Sequence, residues 1–167
     1  RLLLLWCVFF GAFGTLAGIV VWMPTILVKA GLSPGQGGLV LSWHALGGLL
    51  SMALAGILIQ HFGPRLLVIG LSGGAAVLVA TALAIPSFGS VAAGMVALGL
   101  LFGVAASGSI AVVGTLLPVH SRSSGLGWSM GIGRVGQVIL PFFMGLGLER
   151  LGPVVVFIGL AAVPALL

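Results

Sequence analysis

Long apolar blocks alternate with short polar breaks along this chain. The blocks at 2–28, 37–60, 66–85, 91–117 and 123–148 each hold 20 or more residues, and another begins near residue 154. About 20 apolar residues in a helix cross a hydrocarbon core of about 30 Å. The pattern predicts an all-α membrane protein with six transmembrane helices. The breaks carry stop and turn residues: Lys29, Gly31 and Pro34, then His61, Gly63, Pro64 and Arg65, then Pro86 to Ser90, Pro118 to Arg122, and Glu149 to Pro153. Loops this short make successive helices antiparallel neighbours. Pro24 and Pro141 fall inside spans, where a missing backbone donor bends a helix. Residues 1–167 read as one six-helix unit, a fragment whose last helix is cut off.

Composition narrows the class. The chain is 60% hydrophobic and 4% charged, where a soluble domain carries about 25% charged residues. Nothing polar enough remains to cover a soluble globule. A β-barrel would alternate apolar and polar residues in short strands, and these blocks do not alternate. Twenty-nine glycines and eight prolines suit polytopic helices. The net charge of +5 comes from scattered bases between apolar blocks, so it does not point to nucleic acid. Cys7 is the single cysteine, which excludes an internal disulfide and a cysteine metal cluster. No metal-ligand cluster and no nucleophile–base pair stands out, and the glycine run at 70–74 lacks the lysine of a phosphate loop. The chain reads as neither an enzyme nor a cofactor protein. Arg1, Arg65 and Arg122, with His61 and His120, share one side, against Lys29 and Arg150 on the other. The positive-inside rule then favours cytoplasmic termini in a cell inner membrane.

The stretch 118–141 stands apart. A polar turn, His120 to Ser124, leads into a glycine-rich apolar segment with Arg134 well inside it. Counted from Ser123, Arg134 is roughly 16 Å along the helix, near the middle of the bilayer. An arginine at that depth costs at least ~2.5 kcal/mol, so it faces protein, water or a ligand rather than lipid.

These residues resemble the turn and eleventh helix of the major facilitator superfamily, specifically its aromatic acid:proton symporter family. The family pattern there reads approximately Y-P-T-x-x-R-A-T-G-x-G-W-x-x-G-x-G-R-x-G. Pro118, Arg122, Gly125, Gly127, Trp128, Gly131, Gly133, Arg134 and Gly136 stand at the matching places. Leu117, Val119, Ser123 and Ser124 depart from it. Trp22 to Val28 is similar to the W-L-P-T-L-L segment ending the seventh helix. Gly56, Gly63 and Arg65 resemble a degenerate G-x-x-x-D-R-x-G-R-R loop, with Gln60 for the aspartate and His61 for the first base. The resemblance implies helices seven to twelve of a twelve-helix transporter. It also implies a missing N-terminal six-helix half that carries an acidic motif and much of the proton coupling.

Arg134 is the leading site candidate. Guanidinium grips a carboxylate bidentately and stays charged, which suits a counter-charge for an anionic substrate. The alternative is a bond to backbone carbonyls or to a carboxylate of the missing half. Gln137, one turn on, either shares the ligand or packs. His44 either carries protons or contacts ligand, or else bonds between helices. Ser107 and Ser109 either line the cavity or bond back to their own helix. Gly127, Gly131 and Gly133 are read as close helix-packing positions. Gly56, Gly63, Arg65 and Arg122 mark cytoplasmic loops. Glu149 and Arg150 are read as an exposed turn pair.

The expected function is secondary transport of a small organic anion, most consistent by resemblance with an aromatic carboxylate. Alternating access coupled to protons would drive it. The partners would be substrate, protons, the lipid bilayer and the N-terminal half. A self-assembling six-helix channel or structural membrane protein is the rival, although a pore needs a continuous polar face that these residues hardly supply.

Overall fold

The computed structural model describes residues 2–85, 87–151 and 153–165. Its elements are α1 (Leu2–Lys29), α2 (Pro34–Phe62), α3 (Arg65–Leu83), α4 (Phe88–Leu116), a 3-10 turn (Val119–Ser121), α5 (Arg122–Leu151) and α6 (Pro153–Ala165). Among the described residues, five helices are long and apolar enough to cross a membrane. The expected sixth span is corrected: α6 has 13 residues, or about 20 Å at the helical rise, short of a hydrocarbon core of about 30 Å. Arg1, Pro86 and Gly152, assigned to the cytoplasmic edge and to turns, lie outside the described residues.

The helix ends follow local chemistry. Lys29 closes α1, and Gly31 (φ 102°) turns the chain. The Leu32 amide then bonds the Leu27 carbonyl at 3.1 Å, and the Gly31 amide bonds that of Val28 at 3.1 Å. This pair of hydrogen bonds uses up carbonyls the helix leaves free, and it needs the left-handed glycine. Ser33 caps α2 in a reciprocal box: its Oγ accepts from the Gln36 amide at 3.3 Å, and Gln36 Oε1 accepts from the Ser33 amide at 3.0 Å. Gly63 (φ 54°) separates α2 from α3. Two breaks come later than the sequence pattern suggests. His61 and Phe62 complete α2, and Glu149 and Arg150 belong to α5 rather than to a turn. Glu, Arg and Leu are good helix formers, so α5 continues until Gly152 and Pro153 interrupt the sequence.

These helices are apolar nearly all round, so polarity does not select their packing faces; side-chain size does. Lipid is as apolar as leucine, and helices associate in it through close van der Waals contact. The main partnerships are α2 with α4, α1 with α5, and α3 with both α4 and α6. The inner helices α1 and α4 also touch each other. Ile19, Met23, Ile26, Leu78, Met95, Leu98 and Phe102 form the buried centre. Glycine brings the backbones together around it. A Cβ on Gly47 would strike the Val96 carbonyl of α4, and one on Gly99 would strike the His44 carbonyl of α2. On the other side, a Cβ on Gly14 would stand 2.8 Å from the Gly136 carbonyl oxygen.

The burial is uneven. Of the apolar stretches of α1, α3 and α4, 44–50% is buried, against 17% for α2 and 22% for α5. Leu39, Leu46, Leu50 and Ile57 of α2 are exposed, as are Trp128, Val135, Val138 and Phe142 of α5. The two helices that flank the α1–α4 centre therefore each present a largely uncovered face.

Candidate functional site

Pro118 opens the approach to α5 in an extended conformation (ψ 150°), and the 3-10 turn delivers Arg122 to the first helical position. The helix then runs 30 residues with Pro141 inside it. Its buried face carries Ser129, Gly133 and Gly136. Ser129 Oγ donates to the Gly125 carbonyl at 2.8 Å and so satisfies itself within its own helix. The opposite face carries Ser124, Gly127, Gly131, Arg134 and Val138, spaced at three and four residues and all exposed. One turn of helix separates each from the next.

Arg134 is on that uncovered face, and its Nη1 donates to Gln137 Oε1 at 3.1 Å. Gln137 holds one end of the guanidinium and leaves the rest of its donor fork open. The chain supplies no close counter-charge. Glu149 is its single carboxylate side chain, and it is fifteen residues further along α5, about 22 Å at the helical rise. Below Arg134 on the same face, Ser124, Gly127, Trp128 and Gly131 line an open hollow of about 340 Å³. The hollow exists because the two glycines have no side chains, and Trp128, 69% exposed, stands beside it.

The three glycines expected to pack helices have separate surroundings. A Cβ on Gly133 would lie 3.4 Å from the Phe13 ring and from the Phe9 carbonyl oxygen of α1. Gly127 and Gly131 have nothing within 4 Å of that position. Their G-x-x-x-G faces away from every described neighbour.

His44 and Ser107 are not joined to Arg134 by any hydrogen bond among the described residues. His44 is 9% exposed, at the seam where Gly99 meets its carbonyl. Its ring has the Met95 backbone of α4 as a polar neighbour, and its Nδ1 has no hydrogen-bond partner. His44 thus packs between α2 and α4, with no hydrogen bond from Nδ1 among the described residues. Ser107 is half-buried on α4, while Ser109 is buried and donates to the Ala105 carbonyl at 2.8 Å. Ser51 is also buried in the α2–α4 seam, against Gly103. Gly56 has open space around it, and Arg65 and Arg122, both exposed, each begin a helix. A cation at a helix N-terminus opposes the helix dipole, so neither arginine stabilises its own helix through that dipole.

Two partners of the site escaped sequence reasoning. Trp22 donates from Nε1 to the Pro141 carbonyl at 2.8 Å, joining α1 to α5 beside the site. The Gly14–Gly136 contact joins the same helices just beneath Arg134. The only available signal was the glycine and proline content itself, which does not say which neighbour each residue meets.

Apolar helices joined through glycine seams, with one guanidinium on an uncovered face, define an all-helical multi-pass membrane protein. Residues 5–167 match the Major Facilitator Superfamily, and the chain belongs to that family. It is 25% identical over 147 residues to the benzoate transport protein of Acinetobacter baylyi, covering 86% of this chain and 31% of that protein. It is 32% identical over 139 residues to the gentisate transporter of Corynebacterium glutamicum, covering 77% and 29%. It is 31% identical over 141 residues to the 4-hydroxybenzoate transporter of Pseudomonas aeruginosa, covering 82% and 31%. The chain thus spans about a third of the length of the curated relatives it matches.

Proposed function

We propose that this chain is the C-terminal part of a secondary transporter for small aromatic carboxylates, driven by protons across a cell inner membrane. The observation that carries the reading is Arg134. It lies mid-span on an uncovered face, its one hydrogen bond among the described residues is to Gln137, and the single carboxylate side chain, Glu149, is fifteen residues away. An unpaired guanidinium at that depth needs an anion, and a carboxylate matches its open fork. The open hollow one turn below it, lined by Ser124, Gly127, Trp128 and Gly131, offers room for a ring. Three relatives are named for benzoate, gentisate and 4-hydroxybenzoate, all aromatic acids.

The uncovered faces of α2 and α5 receive the N-terminal six-helix half in this reading. Substrate then sits between the halves, and their rocking alternates its access to the two sides. The test is uptake by the full-length protein in liposomes. An inward proton gradient should drive accumulation of radiolabelled 4-hydroxybenzoate, and Arg134→Lys should abolish it with the same amount of protein inserted. Wild-type-like uptake in that variant would sink the assignment.

A further inference from the structure

α5 contains a single proline, and Trp22 of α1 is fastened to it. Pro141 has no amide hydrogen, so the Gln137 carbonyl loses its usual donor and the helix is free to bend there. The indole of Trp22 docks on the C-terminal side of this break. Its Nε1 donates to the Pro141 carbonyl at 2.8 Å, the acceptor that the Gly145 amide ordinarily uses. Its ring also covers Gly145, where a Cβ would stand 2.7 Å from Cζ2.

The two sides of the break are held to α1 differently. On the Arg134 side the contact is backbone to backbone. A Cβ on Gly136 would meet the Phe10 carbonyl and stand 3.1 Å from Phe10 Cα. At Gly136 itself the neighbour is backbone, which has no rotamer to change if the helices part. On the far side the helices meet through side chains, the Trp22 hydrogen bond and ring and the buried Met144, whose sulfur lies where a Cβ on Gly18 would be. A cleft of about 180 Å³ opens there, lined by Trp22, Thr25, Lys29 and Leu148, so the end of α5 has room to move. Arg134 and Gln137 lie close to the join of the fixed and the movable parts.

We infer that Trp22 is a positioning residue, a latch that sets the angle of the C-terminal end of α5 relative to Arg134 and Gln137. Breaking its bond to Pro141 lets α5 bend as the transporter changes state. The inference rests on the transport reading above for its consequence, and on the geometry alone for the hinge.

The experiment uses the full-length transporter in liposomes with Cys7→Ser and any other native cysteines removed. Spin labels attached through Lys29→Cys and Arg150→Cys report the distance between the ends of α1 and α5. Trp22→Phe keeps a ring over Gly145 and removes only the donor. The expected result is a broadened or two-peaked distance distribution and a change of about fivefold in maximal uptake velocity, the scale of one lost hydrogen bond. KM should stay within about twofold. Pro141→Ala restores the amide and removes the break, and in that background Trp22→Phe should leave the distribution unchanged. An unchanged distribution in the single variant would overturn the latch. So would a broadened one with wild-type velocity, or a rise in KM without a change in velocity. If the wild-type protein moves no aromatic carboxylate, the functional reading fails, and the two distance measurements still decide the hinge.

Discussion

Arg134 and Gln137 are hydrogen-bonded at 3.1 Å on the uncovered side of α5. The amide turns the guanidinium along the helix and satisfies part of its donor set without neutralising its charge. In the proposed transport reading, a substrate carboxylate would find a cation already oriented. Replacing Gln137 by Leu removes that tether and keeps the charge. The expected effect is a rise in KM of about tenfold, since a hydrogen bond to a charged group contributes about 1.5–3 kcal/mol. Concentration-dependent uptake measures it, and a KM within twofold of wild type would return Gln137 to a packing role.

Gly131 offers a separate test of the hollow. Nothing in this chain lies within 4 Å of a Cβ there, so Gly131→Leu leaves the packing of these helices intact while filling the floor beside Arg134. Uptake should fall by at least about tenfold at unchanged membrane abundance, a scale set by overpacking costs of about 1–3 kcal/mol in a close-fitting site. Uptake equal to wild type would show that the ring lies elsewhere.

The glycine seams predict the opposite outcome. Gly47 and Gly99 bring α2 and α4 into backbone contact, and Gly99→Val has no flexible side chain to push aside. The expected result is loss of folded protein, seen as a low yield of monodisperse transporter in detergent. Gly127→Ala, on the open face, should retain the wild-type yield. Equal yields from the two variants would contradict the packing described here.

His44 is buried in that same seam, away from Arg134. Its replacement by Gln keeps a polar group of similar length between α2 and α4. Protein abundance and thermal stability should shift modestly, while the pH profile of uptake keeps its shape. A displaced pH profile would make His44 a proton carrier after all.

Much of this architecture is legible in the order of residues. Long apolar blocks forecast the helices, and Lys29, Gly31 and Gly63 forecast the ends of α1 and α2. The capping pair Ser33 and Gln36 was equally readable, but the prolines and glycines around it suggested a loop. Arg134 stood out because charge is rare at that depth. The partners of the glycines were not readable. Gly127 and Gly131 have the spacing of a packing motif and face open space, while Gly47, Gly99 and Gly136 come closest to the backbone of a neighbouring helix. The same spacing recurs at Gly14 and Gly18, at Gly70 and Gly74 and at Gly99 and Gly103, and only the fold decides which face meets a neighbour. The bond from Trp22 to Pro141 crosses 119 positions, beyond any local pattern. The sixth apolar block was legible from its start near residue 154, and α6 has 13 residues, fewer than the other five helices.

The central claim is that Arg134 recognises a carboxylate charge, and the most direct measurement compares an acid with its uncharged amide. Binding of 4-hydroxybenzoate and of 4-hydroxybenzamide to the full-length protein would be measured by calorimetry, for wild type and for Arg134→Gln. The account predicts that wild type prefers the acid by at least about tenfold, the value of one charged hydrogen-bonded contact. It predicts that Arg134→Gln erases this preference and leaves amide affinity nearly unchanged. Equal loss of affinity for both ligands, or an acid preference that survives the substitution, would contradict it.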